Sequence, residues 1–152
     1  MLFRSGGKIE AVGTEDSPIV FTSGTASPAR GDWGGIILCG KAPINKGTTA
    51  TAEVGDVLYG GTDATDNSGT LKYVRVEYTG NAINTEKEHN GFSFNGIGNG
   101  TTLEYLQAYM GGDDGFEFFG GTVNASFLVS TGSKDDSFDW TYGWVEIGRA
   151  HV

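Results

Sequence analysis

The sequence predicts an all-β chain wound as a solenoid of stacked coils, about 22 residues to the coil, and three observations carry that prediction. Twenty-six of 152 residues are Gly, and nine Phe, six Tyr and three Trp stand against two Met. Apolar runs are broken by Gly, Asn, Asp, Ser or Thr after about four to eight residues, which is strand length, and no run follows helical spacing. A two-strand segment also recurs at a fixed offset of 22, in Leu103–Thr122 (LEYLQAYMGGDDGFEFFGGT) and Ala125–Trp144 (ASFLVSTGSKDDSFDWTYGW).

An earlier copy of the repeat opens at Leu71 with LKYVRVEYTGN. Its Tyr73-Val74 match Tyr105-Leu106, which match Phe127-Leu128. After an insertion near residues 82–89 it resumes at Asn90-Gly91-Phe92-Ser93-Phe94, matching Asp114-Gly115-Phe116-Glu117-Phe118 at an offset of 24. In the first strand of each copy Val74-Val76, Leu106-Ala108 and Leu128-Ser130 share one parity. In the second, Phe92-Phe94, Phe116-Phe118 and Phe138-Trp140 do. Alternation of period two turns one set inward and the other outward. A unit this short buries its apolar face only against copies of itself. The expected core therefore holds one stack of Phe92, Phe116 and Phe138 and another of Phe94, Phe118 and Trp140. A leucine-rich repeat has a similar period, but its L-x-x-L-x-L consensus is missing. A β-sandwich has no need of aromatics and carboxylates recurring at one offset.

Five segments together resemble a known architecture: Gly7–Thr14 with Ser17–Ser23, Gly31–Ile36 (GDWGGI), Lys41–Asn45 (KAPIN), Leu71–Tyr78, and Gly112–Phe116 (GDDGF). They are similar to the right-handed parallel β-helices, pectate-lyase-like solenoids, of large bacterial secreted, cell-surface or lipid-anchored proteins, most without an assigned activity. The resemblance spans residues 7 to about 145 and implies an extracellular or cell-surface setting. It implies no enzyme.

The domain layout expected is a parallel β-helix over residues 1–145 and a separate tail over 146–152. Glu146–Val152 (EIGRAHV) matches what a widely used sequencing adapter encodes when read through to a stop. The tail is therefore expected to be non-native, and the chain a fragment of a longer solenoid. Signal sequence and anchor would then lie outside it, and the uncapped ends of the solenoid would favour self-association.

Charge narrows the function. The net charge of −9 disfavours a nucleic-acid surface, which needs a basic stripe. No apolar run approaches the length of a transmembrane segment. Cys39 stands alone, so it builds neither a disulfide framework nor a Cys metal site, and it reads as a small buried apolar residue. The run Glu86-Lys87-Glu88-His89 reads as a solvated loop, and Trp33 as a core or end plug. Gly96–Gly100 has no helix behind it and makes no phosphate loop.

The sharpest chemical signal is acidic. Asp113, Asp114 and Glu117 recur as Asp135, Asp136 and Asp139 in the next copy. Strands about 4.8 Å apart would bring these carboxylates face to face. Two unit charges about 5 Å apart repel by roughly 3 kcal/mol at an effective dielectric near 20, so the pattern asks for a compensating cation. Calcium, which takes six to eight oxygens, suits it, with Asn90 and Ser93 available below. The alternative is ordinary turn chemistry, in which Asp bonds its local backbone. Tyr109, Phe119, Tyr142 and Trp144 are the candidate ligand-binding aromatics, against the alternative that their rings curl back over the core. The expected function is a non-catalytic extracellular module presenting an acidic face to a polysaccharide or cell-surface glycan, or serving adhesion. A β-helix polysaccharide lyase or glycoside hydrolase, with essential residues partly outside this chain, is the alternative. Hydrolysis asks for two carboxylates across the glycosidic bond, and lyase chemistry asks for a base. Only Lys134 is near, and no catalytic residue is assigned.

Overall fold

The computed structural model describes residues 1–84 and 87–145; the tail expectation for 146–152 lies outside the described residues. Twelve strands and no helix form among the described residues: β1 (Leu2–Phe3), β2 (Ile9–Val12), β3 (Ile19–Phe21), β4 (Ile36–Cys39), β5 (Ala50–Thr51), β6 (Leu58–Tyr59), β7 (Gly69–Glu77), β8 (Phe92–Asn95), β9 (Thr102–Tyr109), β10 (Phe116–Phe119), β11 (Ala125–Thr131) and β12 (Phe138–Thr141). One sheet runs β1-β4-β8-β10-β12, and the other β11-β9-β7-β2 with β3 also on β7. Every pairing within these two sheets is parallel. From β7 onward the chain alternates between them, so each circuit lays one strand on each sheet. That is a parallel β-helix.

The repeat written in the sequence is the register of the sheets. Phe116 faces Phe138 and Leu106 faces Leu128, an advance of 22 residues. Phe92 faces Phe116 after 24. Earlier circuits are longer: Val74 faces Leu106 after 32, and Ile36 faces Phe92 after 56. The excess forms two excursions. One carries the antiparallel hairpin β5–β6, with Ala50 opposite Tyr59. The other is the 80–89 loop, closed by an antiparallel bridge from Ala82 to Glu88.

Inside, Leu71, Val74, Val76, Leu103, Leu106 and Ala108 from one sheet meet Ile36, Leu38, Phe92, Phe94, Phe116 and Phe118 from the other, all at most 1 % exposed. Phe116 lies flat between two rings, 5.0 Å from Phe92 and 5.3 Å from Phe138 between centroids. Trp33 packs against this core, its Nε1–H donating to the Glu77 carbonyl. The second stack needs a correction. Trp140 pairs with Phe118 in backbone register, yet its side chain is 63 % exposed. Phe138, on the same edge strand, keeps its stack on Phe116, whereas the place over Phe118 is not held by Trp140. Trp144 takes the place instead, stacked on Phe118 at 3.9 Å and 15°.

The strands bend where three successive circuits adopt a left-handed residue. Tyr73, Tyr105 and Phe127 have φ of 49°, 54° and 57°, and the register skips all three. Non-glycine residues there cost on the order of 1–2 kcal/mol each. Ring stacking on the outside offsets part of this: Tyr73–Tyr105 centroids are 4.4 Å apart and Tyr105–Phe127 4.3 Å, with planes within 7°.

Candidate functional site

The outward residues of β8, β10 and β12 form two columns, Ser93–Glu117–Asp139 and Asn95–Phe119–Thr141. The hairpin excursion covers part of this face. Ala52, Val57 and Tyr59 pack with Ile37, Cys39 and Phe119 in a second, smaller apolar cluster. The remainder is polar and acidic. Glu117 is only 8 % exposed although its parity points away from the core.

Five of the six repeated acids approach one another. Asp113, Asp114 and Asp135 each bring a carboxylate oxygen within 4.8 Å of the others, and so do Asp114, Glu117 and Asp139. Asp114 belongs to both groups. Asp136 belongs to neither: its side chain is exposed, and its backbone N–H donates to Asp114 Oδ1 at 2.8 Å. Below them, Asn90 donates from Nδ2 to Glu117 Oε2 at 2.5 Å and to Ser93 Oγ at 3.2 Å. Asn90 is 3 % exposed, and its Oδ1 has no hydrogen-bond partner.

Burial and mutual repulsion raise these carboxyls well above the usual range. Burial first, then the charges of Asp114 and Glu88, pushes Asp113 up to about 7. Burial pushes Asp114 up to about 6 against the opposing Asp136 N–H, and Asp139 and Asp135 add to the rise. Glu117 reaches about 8, chiefly by burial, with Asn90 opposing and Asp114, Asp139 and Glu53 assisting. Asp113 and Glu88 also hydrogen-bond side chain to side chain, which two carboxyls do only around a shared proton. Glu88 is half-buried at the groove wall, a correction at that residue to the solvated loop expected for 86–89; Lys87 is exposed as expected, and Glu86 lies outside the described residues. The two ion pairs found among the described residues, Lys72–Glu104 and Arg75–Glu77, both stand on the other sheet.

The four aromatics singled out in the sequence do not gather on one face. Tyr109 lies on the other sheet, edge-on to Tyr78 at 6.1 Å with the Arg75 guanidinium 5.9 Å from its ring. Phe119 has the outward parity expected, yet the hairpin buries it to 8 % exposure. Trp144 caps the core and donates from Nε1 to the Val123 carbonyl at 3.1 Å. Tyr142 is half-buried, with its hydroxyl accepting from Lys46 Nζ at 2.6 Å and that ammonium 4.4 Å from its ring centre. Phe119 is thus buried under the hairpin, and Trp144 spends one ring face on Phe118. Glu53, Glu88 and Asn95 were not foreseen as parts of this region. They come from the excursions or from a non-acidic coil, where no repeat marks them.

A family model described as a pectate-lyase like beta helix domain matches residues 1–151. No curated protein and no solved structure matches the chain.

Proposed function

The chain belongs to the pectate-lyase-like β-helix domain family, and from that premise we propose that it is a non-catalytic extracellular or cell-surface module whose acidic groove binds a glycan through a divalent cation. The observation that supports this reading is the double cluster Asp113–Asp114–Asp135 and Asp114–Glu117–Asp139, five carboxyls with oxygens within ligand distance of one cation in each group. Calcium is the cation of choice, because every donor is an oxygen and the geometry is irregular. A cation there offsets the burial and the mutual repulsion that raise the carboxyl pKa values. It also leaves coordination positions for the hydroxyls or carboxylates of a polysaccharide.

The raised carboxyls also suit a second reading, a glycoside hydrolase with a protonated general acid. Glu117, the acid best placed in energy, is the least accessible of the group, so a glycosidic oxygen has no approach to it. The test combines thermal unfolding in calcium and in chelator with binding and turnover on an acidic polysaccharide such as polygalacturonate. Calcium is expected to raise the melting temperature of the wild type, with about 2.7 kcal/mol of stabilisation when free ion is about a hundred times the dissociation constant. Asp114→Asn plus Asp139→Asn is expected to remove that shift together with glycan binding. Equal melting temperatures in both media, or turnover of the polysaccharide, would overturn the reading.

A further inference from the structure

A second polar space lies under the excursions, beside the repeated acids. The hairpin β5–β6, the 80–89 loop and the outer face of β8 enclose a crevice of about 10 Å³. Its polar lining is Glu53 from the hairpin, Glu88 from the loop, and Ser93 and Asn95 from β8, while Ile37 and Phe119 contribute apolar wall. That volume admits one water or one monatomic ion and no organic ligand.

The decisive residue is Asn95. It is 1 % exposed, it lines the crevice, and its Oδ1 has no hydrogen-bond partner. Leaving a buried amide oxygen unsatisfied costs about 1–3 kcal/mol, so the position calls for an occupant that accepts its lone pair. The other three donors define that occupant's charge. Glu53 and Glu88 act on each other as like charges, and Lys87, beside Glu88 on the loop, supplies the one opposing charge that acts on Glu53. Water answers the amide oxygen but not the repulsion of the two carboxylates. A hard cation answers both, since two carboxylates, an amide oxygen and a hydroxyl are oxygen ligands of the kind calcium takes, with two to four positions left to backbone or water.

We propose that Glu53, Glu88, Ser93 and Asn95 form a calcium site that clamps the β5–β6 hairpin and the 80–89 loop onto the outer face of β8. The site adjoins the Asp114–Glu117–Asp139 cluster and shares no ligand with it: Glu88 hydrogen-bonds Asp113, and the Glu53 charge acts on Glu117. Its ligands come from two excursions and one strand, so binding ties together three segments distant in sequence.

Calorimetric titration of the chelator-treated 152-residue chain with calcium chloride tests the proposal. Glu53→Gln keeps size and polarity and removes one charged ligand; it is expected to eliminate one bound calcium per chain or weaken it by about tenfold or more. Asp114→Asn plus Asp139→Asn is expected to leave that calcium in place, so failure of the groove reading and failure of this one give different titrations. Circular dichroism in chelator verifies that each variant folds, and Asn95→Asp, which adds charge at the orphaned oxygen, is expected to tighten binding. Unchanged stoichiometry and affinity in Glu53→Gln, or no calcium taken up by the wild type beyond what the groove double variant loses, would overturn the site.

Discussion

Replacing Phe116 by Ala tests whether the aromatic column holds neighbouring coils together, and Phe138→Ala supplies its internal control. The two rings share one column and one residue type but differ in surroundings. Phe116 is 0 % exposed with rings at 5.0 Å and 5.3 Å on either side, whereas Phe138 is 40 % exposed with one ring neighbour. Truncating a fully enclosed Phe removes its transfer energy and leaves a cavity, about 3–5 kcal/mol in all. At Phe138 roughly 60 % of a transfer term of about 1.5–3 kcal/mol is at stake, and the space opens to solvent without forming a cavity, so the loss is about 1–2 kcal/mol. Urea unfolding at constant m-value reads the difference directly. For a chain of this length it corresponds to melting temperatures lowered by about 10 °C and about 5 °C respectively. Equal losses at the two positions, or a smaller loss at Phe116, would refute the stacked column.

Two further expectations follow from burial. The folded-state pKa values of Asp113, Asp114 and Glu117, about 7, 6 and 8, lie above the unfolded carboxyl values near 4, so the folded chain holds more protons than the unfolded one across that interval. In chelator its stability is therefore present below about pH 4 and declines as pH rises toward 8; Glu117→Gln is expected to flatten the upper part of the decline in pH-dependent melts, and a stability that rises over this range would contradict the assignment. Burial pushes the Cys39 thiol up to about 12, so a thiol reagent at pH 8 is expected to modify it only after denaturation, and rapid labelling of the native chain would place it outside the second cluster.

The parts of this structure legible in the sequence are those that repeat. Leu106 over Leu128, Phe116 over Phe138 and Glu117 over Asp139 were fixed by one offset, because stacking identical circuits converts a sequence period into a register. The two acidic clusters follow from the same offset. What the sequence left hidden arises where the period fails. Phe119 has outward parity, but the β5–β6 excursion lies over it, and nothing in the local pattern announces a roof supplied from residues 50–59. Glu88 reads as a solvated charge until the 80–89 loop folds it against Asp113. Trp140 follows the period in its backbone and departs from it in its side chain, because Trp144 occupies the place over Phe118. The left-handed bends at Tyr73, Tyr105 and Phe127 were equally silent, since aromatic residues carry no preference for positive φ and only the stacked column sustains them.

The parallel register of the coils is the claim on which the columns, the groove and the roofed face all depend, and a cross-link measures it most directly. Gln107 and Val129 are register partners on the outer side of β9 and β11, within the separation a disulfide spans. With Gln107→Cys and Val129→Cys together, mild oxidation is expected to give an intramolecular disulfide in high yield with the native circular dichroism spectrum kept. The pair Gln107→Cys and Ser126→Cys, displaced by three positions along β11, is expected to stay reduced. Closure of the displaced pair, or failure of the first to close in a folded chain, would contradict a parallel β-helix with a 22-residue step between these strands.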